Sequence, residues 1–339
     1  MTGWAVAGCG WVARDYALPG LLAAGADVLA LHDRSTAAMD RMPGDALRTT
    51  DLDALLATPG VDAVYVATPN AAHRPLVEAA AAAGKAVLCE KPLAADVIDA
   101  EAMLAAARGA GVLLGTAYDQ RWHPAHTALR RLLPQLGTVT AVRIVYCCWL
   151  PADWTPDGEA HDNWRVDRSV AGGGAAVDLA PHGLDLAGVL LGEDVTDLHV
   201  LLQSTVHDYA VDDGALLHAR TPSGVLVDLH VAYNTPDALP RRRLEVVGTR
   251  GMAVAVDTMG QTAGGSLTLL APDPLDVPFD GASPFEAQFR AFGAAVDGDP
   301  DAWPYDPSRD LSLHRLLVQA LAREEQARGD RTREEHRGA

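Results

Sequence analysis

Trp4-Ala5-Val6-Ala7-Gly8-Cys9-Gly10-Trp11-Val12-Ala13 joins a short apolar run to a G-x-G-x-x-A turn, and a helix-forming stretch from Tyr16 to Ala24 follows. In such a turn the first glycine permits the tight bend and the second lets the backbone approach a diphosphate. The small third residue allows helix and strand to pack, and the helix N-terminus offers N–H donors and a positive dipole. A second predicted strand, Val28-Leu29-Ala30-Leu31, leads to Asp33, 23 residues after Gly10. An acid there suits the ribose hydroxyls of a dinucleotide. Its charge favours NAD over NADP, whose 2′-phosphate it would repel. Arg34 beside it offers adenine a stacking partner and keeps NADP open as an alternative. Gly8, Gly10, Trp11, Val12, Asp33 and Arg34 therefore form the first candidate cofactor set.

Working outward, the same alternation continues. Leu52 to Ala57 reads as helix, Ala63 to Ala67 as strand, Ala72 to Ala83 as helix and Val87-Leu88-Cys89 as strand. Asp96 to Arg108 is a further helix and Val112 to Thr116 a further strand. Strands alternating with helices of this length predict α/β architecture, a parallel sheet covered on both faces. Near residue 120 the pattern changes. A helix at Pro124 to Leu133 precedes a long strand, Val139 to Leu150, and a loop of about 20 residues containing Trp154 and Trp164. Gly172-Gly173-Gly174 then opens a helix reaching Leu191. Residues 195–270 read as strands, and helices return at Pro284 to Val296 and Leu311 to Ala327, before a charged tail expected to fray. The expected division is a Rossmann domain over 1–120 and an α+β domain with a large open, mostly antiparallel sheet over 121–339.

Composition narrows the function classes. The chain has 339 residues, 49% of them apolar, and 27 basic against 45 acidic residues give a net charge of −18. That field repels phosphate backbones and anionic lipid, so neither nucleic acid nor membrane is an expected partner. No apolar run approaches the roughly 18 residues that span a bilayer. Four cysteines, Cys9, Cys89, Cys147 and Cys148, make no C-x-x-C, so no zinc ribbon or disulfide framework is expected, and the cytoplasm is the expected compartment. Only Lys85 and Lys91 among the 27 basic residues are lysine. A lysine retained amid arginines suggests a place where a titratable ammonium is needed. Lys85 follows a helix-ending glycine and reads as surface charge.

Lys91 has a different context. Thr68-Pro69-Asn70-Ala71-Ala72-His73 follows the third predicted strand, and Glu90-Lys91-Pro92 the fourth; both lie at strand C-terminal ends, where an open α/β sheet binds its ligand. Pro92 restricts Lys91 to extended backbone. Further on, Asp178 and His182 are four apart on one helix face, where a carboxylate can orient a histidine and raise its pKa. Spacing alone equally allows a surface pair without function. Pro181 inside that run should kink the helix or mark its boundary.

Together these segments resemble the Gfo/Idh/MocA family of NAD(P)-dependent oxidoreductases. The matching pieces are the glycine turn, A-T-P-N-x-x-H at 67–73, E-K-P at 90–92 and G-G-G-x-x-x-D-x-x-x-H at 172–182, with Arg121-Trp122, Trp164-Arg165 and Trp303-Pro304-Tyr305 in support. The resemblance implies hydride transfer between nicotinamide and a secondary alcohol or ketone of a sugar, cyclitol or related polyol. By matching motif it implies Lys91, Asp178 and His182 as the catalytic set and Thr68, Asn70, His73, Glu90 and Lys91 as further cofactor contacts. Lys91, Arg121, Trp164, Arg165, Asp178 and His182 become the substrate contacts. A sheet face shared between subunits, giving a homodimer or homotetramer, is also implied. Alternatives from the same resemblance are a redox-assisted glycoside hydrolase or lyase with tightly bound NAD, and a reductase of a non-sugar carbonyl or diol. Asp119 stands where relatives often carry Asn.

Arg165 and Arg168 suit either a substrate carboxylate or phosphate, as on a uronic acid or nucleotide-sugar, or pairing with Asp162 and Asp167. His123 and His126 have metal-like spacing without a third ligand, so no metal is expected. Arg241-Arg242-Arg243 reads as turn charge or subunit contact.

Overall fold

The structure, a computed structural model, describes residues 1–156, 163–270 and 273–338, with side chains as far as residue 330. β1 (Gly3–Ala7) is buried throughout and passes through the glycine turn into a helix whose opening turns widen to π geometry at Ala13–Ala17 before α1 (Leu18–Ala23). There follow β2 (Asp27–His32), α2 (Thr36–Asp40), β3 (Leu47–Thr49), α3 (Leu52–Leu56) and β4 (Ala63–Val66). Next come α4 (His73–Ala82), β5 (Ala86–Glu90), α5 (Val97–Ala110) and β6 (Leu114–Ala117). These strands form one parallel sheet of order β3-β2-β1-β4-β5-β6. The order reverses between β1 and β4, so the turns after those two strands face each other across a switch point, the ligand crevice of such sheets.

The rest of the chain carries α6 (Pro124–Leu132), β7 (Val139–Cys147), α7 (Arg168–Ala171), α8 (Ala175–Leu191), β8 (Asp197–Gln203), β9 (Gly214–Arg220) and β10 (Leu226–Ala232). It continues with β11 (Arg242–Gly248), β12 (Gly251–Val256), β13 (Ser266–Leu270), β14 (Pro274–Asp276), α9 (Pro284–Val296) and α10 (Pro307–Gly338). The second sheet runs β14-β13-β12-β11-β7-β10-β9-β8, antiparallel except for the β7–β10 pair. The α/β class and the open, mostly antiparallel second sheet thus match expectation.

Two compact units result. The first comprises Met1–Pro124, Gln261–Ala263 and Asp280–Leu311, and the second Ala125–Gly260, Gly264–Phe279 and Ser312–Ala339. A division at residue 120 therefore misses a return of the chain to its first unit. The cause is aromatic packing. Phe289 meets Trp4 at 5.3 Å and Tyr65 at 5.1 Å between ring centroids, and Phe292 meets Trp303 at 5.1 Å. Gly20 allows α9 this close, since a Cβ there would lie 2.7 Å from Phe285 Cβ.

In the second unit α8 lies on the inner sheet face, where Gly183 would place a Cβ 2.6 Å from Leu229 Cδ2. Residues 168–191 include an apolar window long enough to cross a membrane, contrary to the expectation of no such run, and that window is 83% buried. The apolarity is that of a core helix. α8 also runs unbroken through Pro181, which removes the boundary reading; burial on a sheet outweighs one missing hydrogen bond. α10 extends to Gly338, beyond the helix end expected at Ala327, in keeping with the Arg- and Glu-rich helix-forming composition of its end. β10 alternates, with Leu226 half exposed on the outer face and Val227 and Leu229 buried.

Candidate active site

In the first unit the glycine turn is shaped by its neighbours. Gly8 has φ +101°, and a Cβ there would sit 2.6 Å from Ala67 C and 2.9 Å from Thr68 Cγ2. Only glycine fits between β1 and the end of β4. A Cβ on Gly10, by contrast, would meet nothing within 4 Å. That open space lies at a helix N-terminus, with Arg14 N–H donating to Gly10 O at 2.9 Å as the helix begins. Asp33 is tied to the same turn: Cys9 N–H donates to its Oδ2 at 2.8 Å and Ser35 N–H to its Oδ1 at 2.9 Å. Arg34 is exposed, and Trp11 and Val12 are partly buried, with the Trp11 ring edge on Tyr16. Across the switch point, Thr68 Oγ1 is buried without a hydrogen-bond partner. A cradle a Cβ would fill, an unsatisfied hydroxyl beside it and a carboxylate at the β2 end fit a dinucleotide, with diphosphate at Gly10 and ribose at Asp33.

Asn70 is buried in the turn after β4. His73, expected as a cofactor contact, has both ring nitrogens on backbone carbonyls, Nε2 at 2.9 Å from Thr68 O and Nδ1 at 3.1 Å from Leu93 O. Burial holds its pKa below the usual histidine value. Its structural work is to tie the loop after β4 to the loop after β5. There the Lys91–Pro92 peptide is cis. Glu90 accepts from Tyr65 Oη at 2.5 Å and from Lys91 N–H at 3.2 Å. Burial pushes the Glu90 carboxyl up to about 7, opposed by the Lys91 charge and the Tyr65 hydrogen bond.

Arg121 requires a correction. Its side chain is fully buried, ion-paired with Asp310 and stacked between Tyr118 and Tyr305, 4.6 and 4.1 Å from their centroids. It braces the first unit and is not displayed to a substrate. Asp119 is buried beside it and accepts from Gln120 Nε2 at 3.0 Å.

In the second unit the start of α8 is fixed by Asp212, which accepts from Gly174 N–H at 3.0 Å and Ala176 N–H at 2.8 Å. A Cβ on Gly174 would fall 2.0 Å from Asp212 O, which accounts for the third glycine of the run. One helical turn on, Asp178 Oδ2 accepts from Tyr233 Oη at 2.7 Å. His182, buried, meets Tyr146 edge to face at 5.5 Å. Burial and the Asp178 charge push the Tyr233 phenol well above its ordinary value, so it stays a donor. Arg165 lies over Trp164 at 4.6 Å and Trp154 at 5.6 Å.

The proposed pairings of the neighbouring arginine are corrected: Arg168 bonds Glu325 at 2.6 Å, while Asp167 caps Ser169. Asp162 lies outside the described residues. Sequence reasoning missed Tyr233 and Tyr146, which sit at strand ends that only the sheet topology brings to α8. His123 and His126 bond Thr262 O and Thr258 Oγ1, and among the described residues no three metal-ligating side chains converge.

A Rossmann sheet with this cradle, followed by an α+β unit displaying a carboxylate and a histidine from one core helix, defines an NAD(P)-dependent oxidoreductase. Residues 2–118 match the oxidoreductase family, NAD-binding Rossmann fold, and residues 126–254 the GFO/IDH/MocA C-terminal domain. The chain is 33% identical over 331 residues to the 1,5-anhydro-D-fructose reductase of Ensifer adhaerens, covering 95% of this chain and 97% of that one. Its fold is similar to that of a levoglucosan dehydrogenase in complex with NADH and levoglucosan, at TM-score 0.80 and 20% identity, covering 95% and 98% of the two chains. It is also similar to a 3-ketoreductase from Actinomadura kijaniata, solved as a point mutant in complex with TDP-benzene and NADP, at TM-score 0.78 and 26% identity, covering 95% and 97%. The chain belongs to the Gfo/Idh/MocA family.

Proposed function

We propose that this protein transfers hydride between NAD and a secondary alcohol or ketone of a sugar or related polyol, with Lys91, Asp178 and His182 as its catalytic residues. The observation that carries the reading is the Asp178–His182 face of α8, with Asp178 held by Tyr233 at 2.7 Å, in a member of this family. The substrate class is supported by relatives named for anhydrofructose, levoglucosan and apiose. Bound NAD supplies the hydride acceptor. His182 takes the hydroxyl proton as the carbonyl forms, and returns it in the reducing direction. Lys91 hydrogen-bonds the reacting oxygen and stabilises developing alkoxide charge. Asp178, fixed by Tyr233, orients His182 or a neighbouring hydroxyl.

Asp33 makes NAD the preferred cofactor, because its carboxylate opposes a 2′-phosphate. Self-association through the outer face of the second sheet is part of this proposal, supported by half-exposed Leu201, Leu216 and Leu226 on that face. The cytoplasm is the proposed compartment, in keeping with four free thiols.

The test is a panel of polyols and their ketones followed at the NADH absorbance with NAD and NADP. Turnover of one or a few members, abolished in Lys91→Met and His182→Ala with NADH binding retained, is the expected result. NADH binding without turnover of any member in either direction would overturn the proposed reaction.

A further inference from the structure

The three consecutive arginines at 241–243 separate in the fold. Arg241 pairs with Asp237, and Arg243, on the outer face, bonds Glu245 at 2.6 Å. Arg242 has the opposite direction, because it shares parity with Leu244 and Val246, which are buried in the core beneath α8. Its guanidinium lies 5.7 Å from the centroid of Tyr146, the ring that packs against His182. The Cys148 thiol feels both the Asp178 and the Arg242 charge. Arg242 thus belongs to the same strand-end cluster as Asp178, Tyr233 and His182, all within the second unit.

Its hydrogen bonding is unusual. Arg242 Nε is buried without a partner, and among the described residues the guanidinium makes no ion pair. With 45 acidic residues available and both neighbouring arginines paired, this is not a general shortage of carboxylates. Space is also reserved for it: a side chain at the buried residue Gly260 would strike Arg242 Nη1 at 2.1 Å. Burying a guanidinium nitrogen unsatisfied is costly, and a planar fork of donors matches one ligand type best, a carboxylate or phosphate held by two N–H groups.

We propose that Arg242 is a substrate-recognition residue and that the substrate of this enzyme carries an oxyanion, a carboxylate or a phosphate, which that guanidinium receives. This inference rests on the reading of the protein as a sugar or polyol oxidoreductase. Arg165, held on the faces of Trp164 and Trp154 and close enough to act on Tyr233, adds a second positive charge to the same cluster. The two cations outnumber the one carboxylate of that cluster, Asp178, in a chain of net charge −18, so an anionic substrate is drawn there where the global field repels it.

The test titrates NADH-saturated protein, by calorimetry, with matched sets of a neutral aldose, its uronate and its 6-phosphate, for glucose, galactose and mannose. In wild type at least one anionic member should bind tenfold or more tightly than its neutral counterpart. Which member does so distinguishes carboxylate from phosphate. Arg242→Gln should reduce that preference below threefold, with its melting temperature and NADH affinity unchanged. Arg242→Lys, which keeps the charge without the fork, should fall between, and it carries the test if Arg242→Gln does not fold. No preference for any anion in wild type, or a preference that survives Arg242→Gln, overturns the proposal. NADH titration separates the two levels: protein that does not bind NADH refutes the dehydrogenase reading itself.

Discussion

Two glycines in one turn should respond to the same substitution in opposite ways. At Gly8 an alanine methyl would be forced to 2.6 Å from Ala67 C, and the residue would hold φ at +101°. The backbone conformation alone costs an L-residue about 1–2 kcal/mol, and the overlap with a main-chain atom that cannot swing aside adds about 1–3 kcal/mol. Gly8→Ala should therefore lose about 2–5 kcal/mol. At about 2–4 °C per kcal/mol for a unit of this size, its melting temperature falls by roughly 5–20 °C. At Gly10 a methyl meets no atom within 4 Å, and φ lies outside the left-handed region. Gly10→Ala should be as stable as wild type, or gain up to about 1 kcal/mol from a stiffer unfolded chain. Its methyl, however, fills the space assigned to the diphosphate. Losing one charge-assisted hydrogen bond, about 1.5–3 kcal/mol, weakens NADH binding by roughly 10- to 150-fold. Thermal unfolding and NADH fluorescence titration of both variants check this. A Gly10→Ala protein that binds NADH like wild type would refute the placement of the diphosphate, and a Gly8→Ala protein of undiminished stability would refute the close approach of β1 to β4.

Asp33→Asn should lower the ratio of NAD to NADP affinity at least tenfold by removing one negative charge while leaving an oxygen for Cys9 N–H, read by titration with both reduced cofactors. Gly174→Ala should destabilise by about 3 kcal/mol or more, because its methyl would fall 2.0 Å from Asp212 O, and chemical denaturation measures this. Glu90 supplies a pH prediction with a definite sign. Its folded carboxyl is raised from 4.5 to about 7, first by burial, so the native state binds more protons than the unfolded one between those values. The stability it contributes is present below about pH 4.5 and is lost as pH rises through 7. Denaturation of wild type and Glu90→Gln at pH 5 and pH 8 should show the variant gaining on wild type by up to about 3 kcal/mol.

Local patterns were legible in the sequence; partners distant in the chain were not. The first sheet could be read because each β–turn–helix step repeats within about 30 residues, and Asp33 because strand length places it at a fixed distance from Gly10. Arg121 shows the opposite case. Its motif position suggests substrate contact, yet its burial is decided by Asp310 and Tyr305, nearly 190 residues away. Tyr233 and Arg242 carry no local signal. They reach the Asp178–His182 cluster only because β10, β7 and β11 are neighbours in a mixed sheet, and a parallel β7–β10 pair cannot be deduced from alternation. Pro181 misled in a third way, since intrinsic propensity was outweighed by tertiary packing.

In the proposed mechanism α8 serves both packing and chemistry. Its N-terminus is pinned by two N–H groups on Asp212, its middle is pressed onto β10 through Gly183, and its C-terminal end is closed by Gly192 in the left-handed region. A helix fixed at three points cannot rotate, so Asp178 and His182 inherit their direction from the core. Packing of this kind is what the proposed proton transfer needs, since a reacting constellation must be held to about half an ångström. The same rigidity sets a limit on repair. Moving the carboxylate one residue along α8 turns it by about 100° away from Tyr233, so Asp178→Ala combined with Leu179→Asp should recover neither turnover nor the Tyr233 hydrogen bond. Recovery of turnover in that double variant would show that Asp178 acts without the orientation α8 gives it.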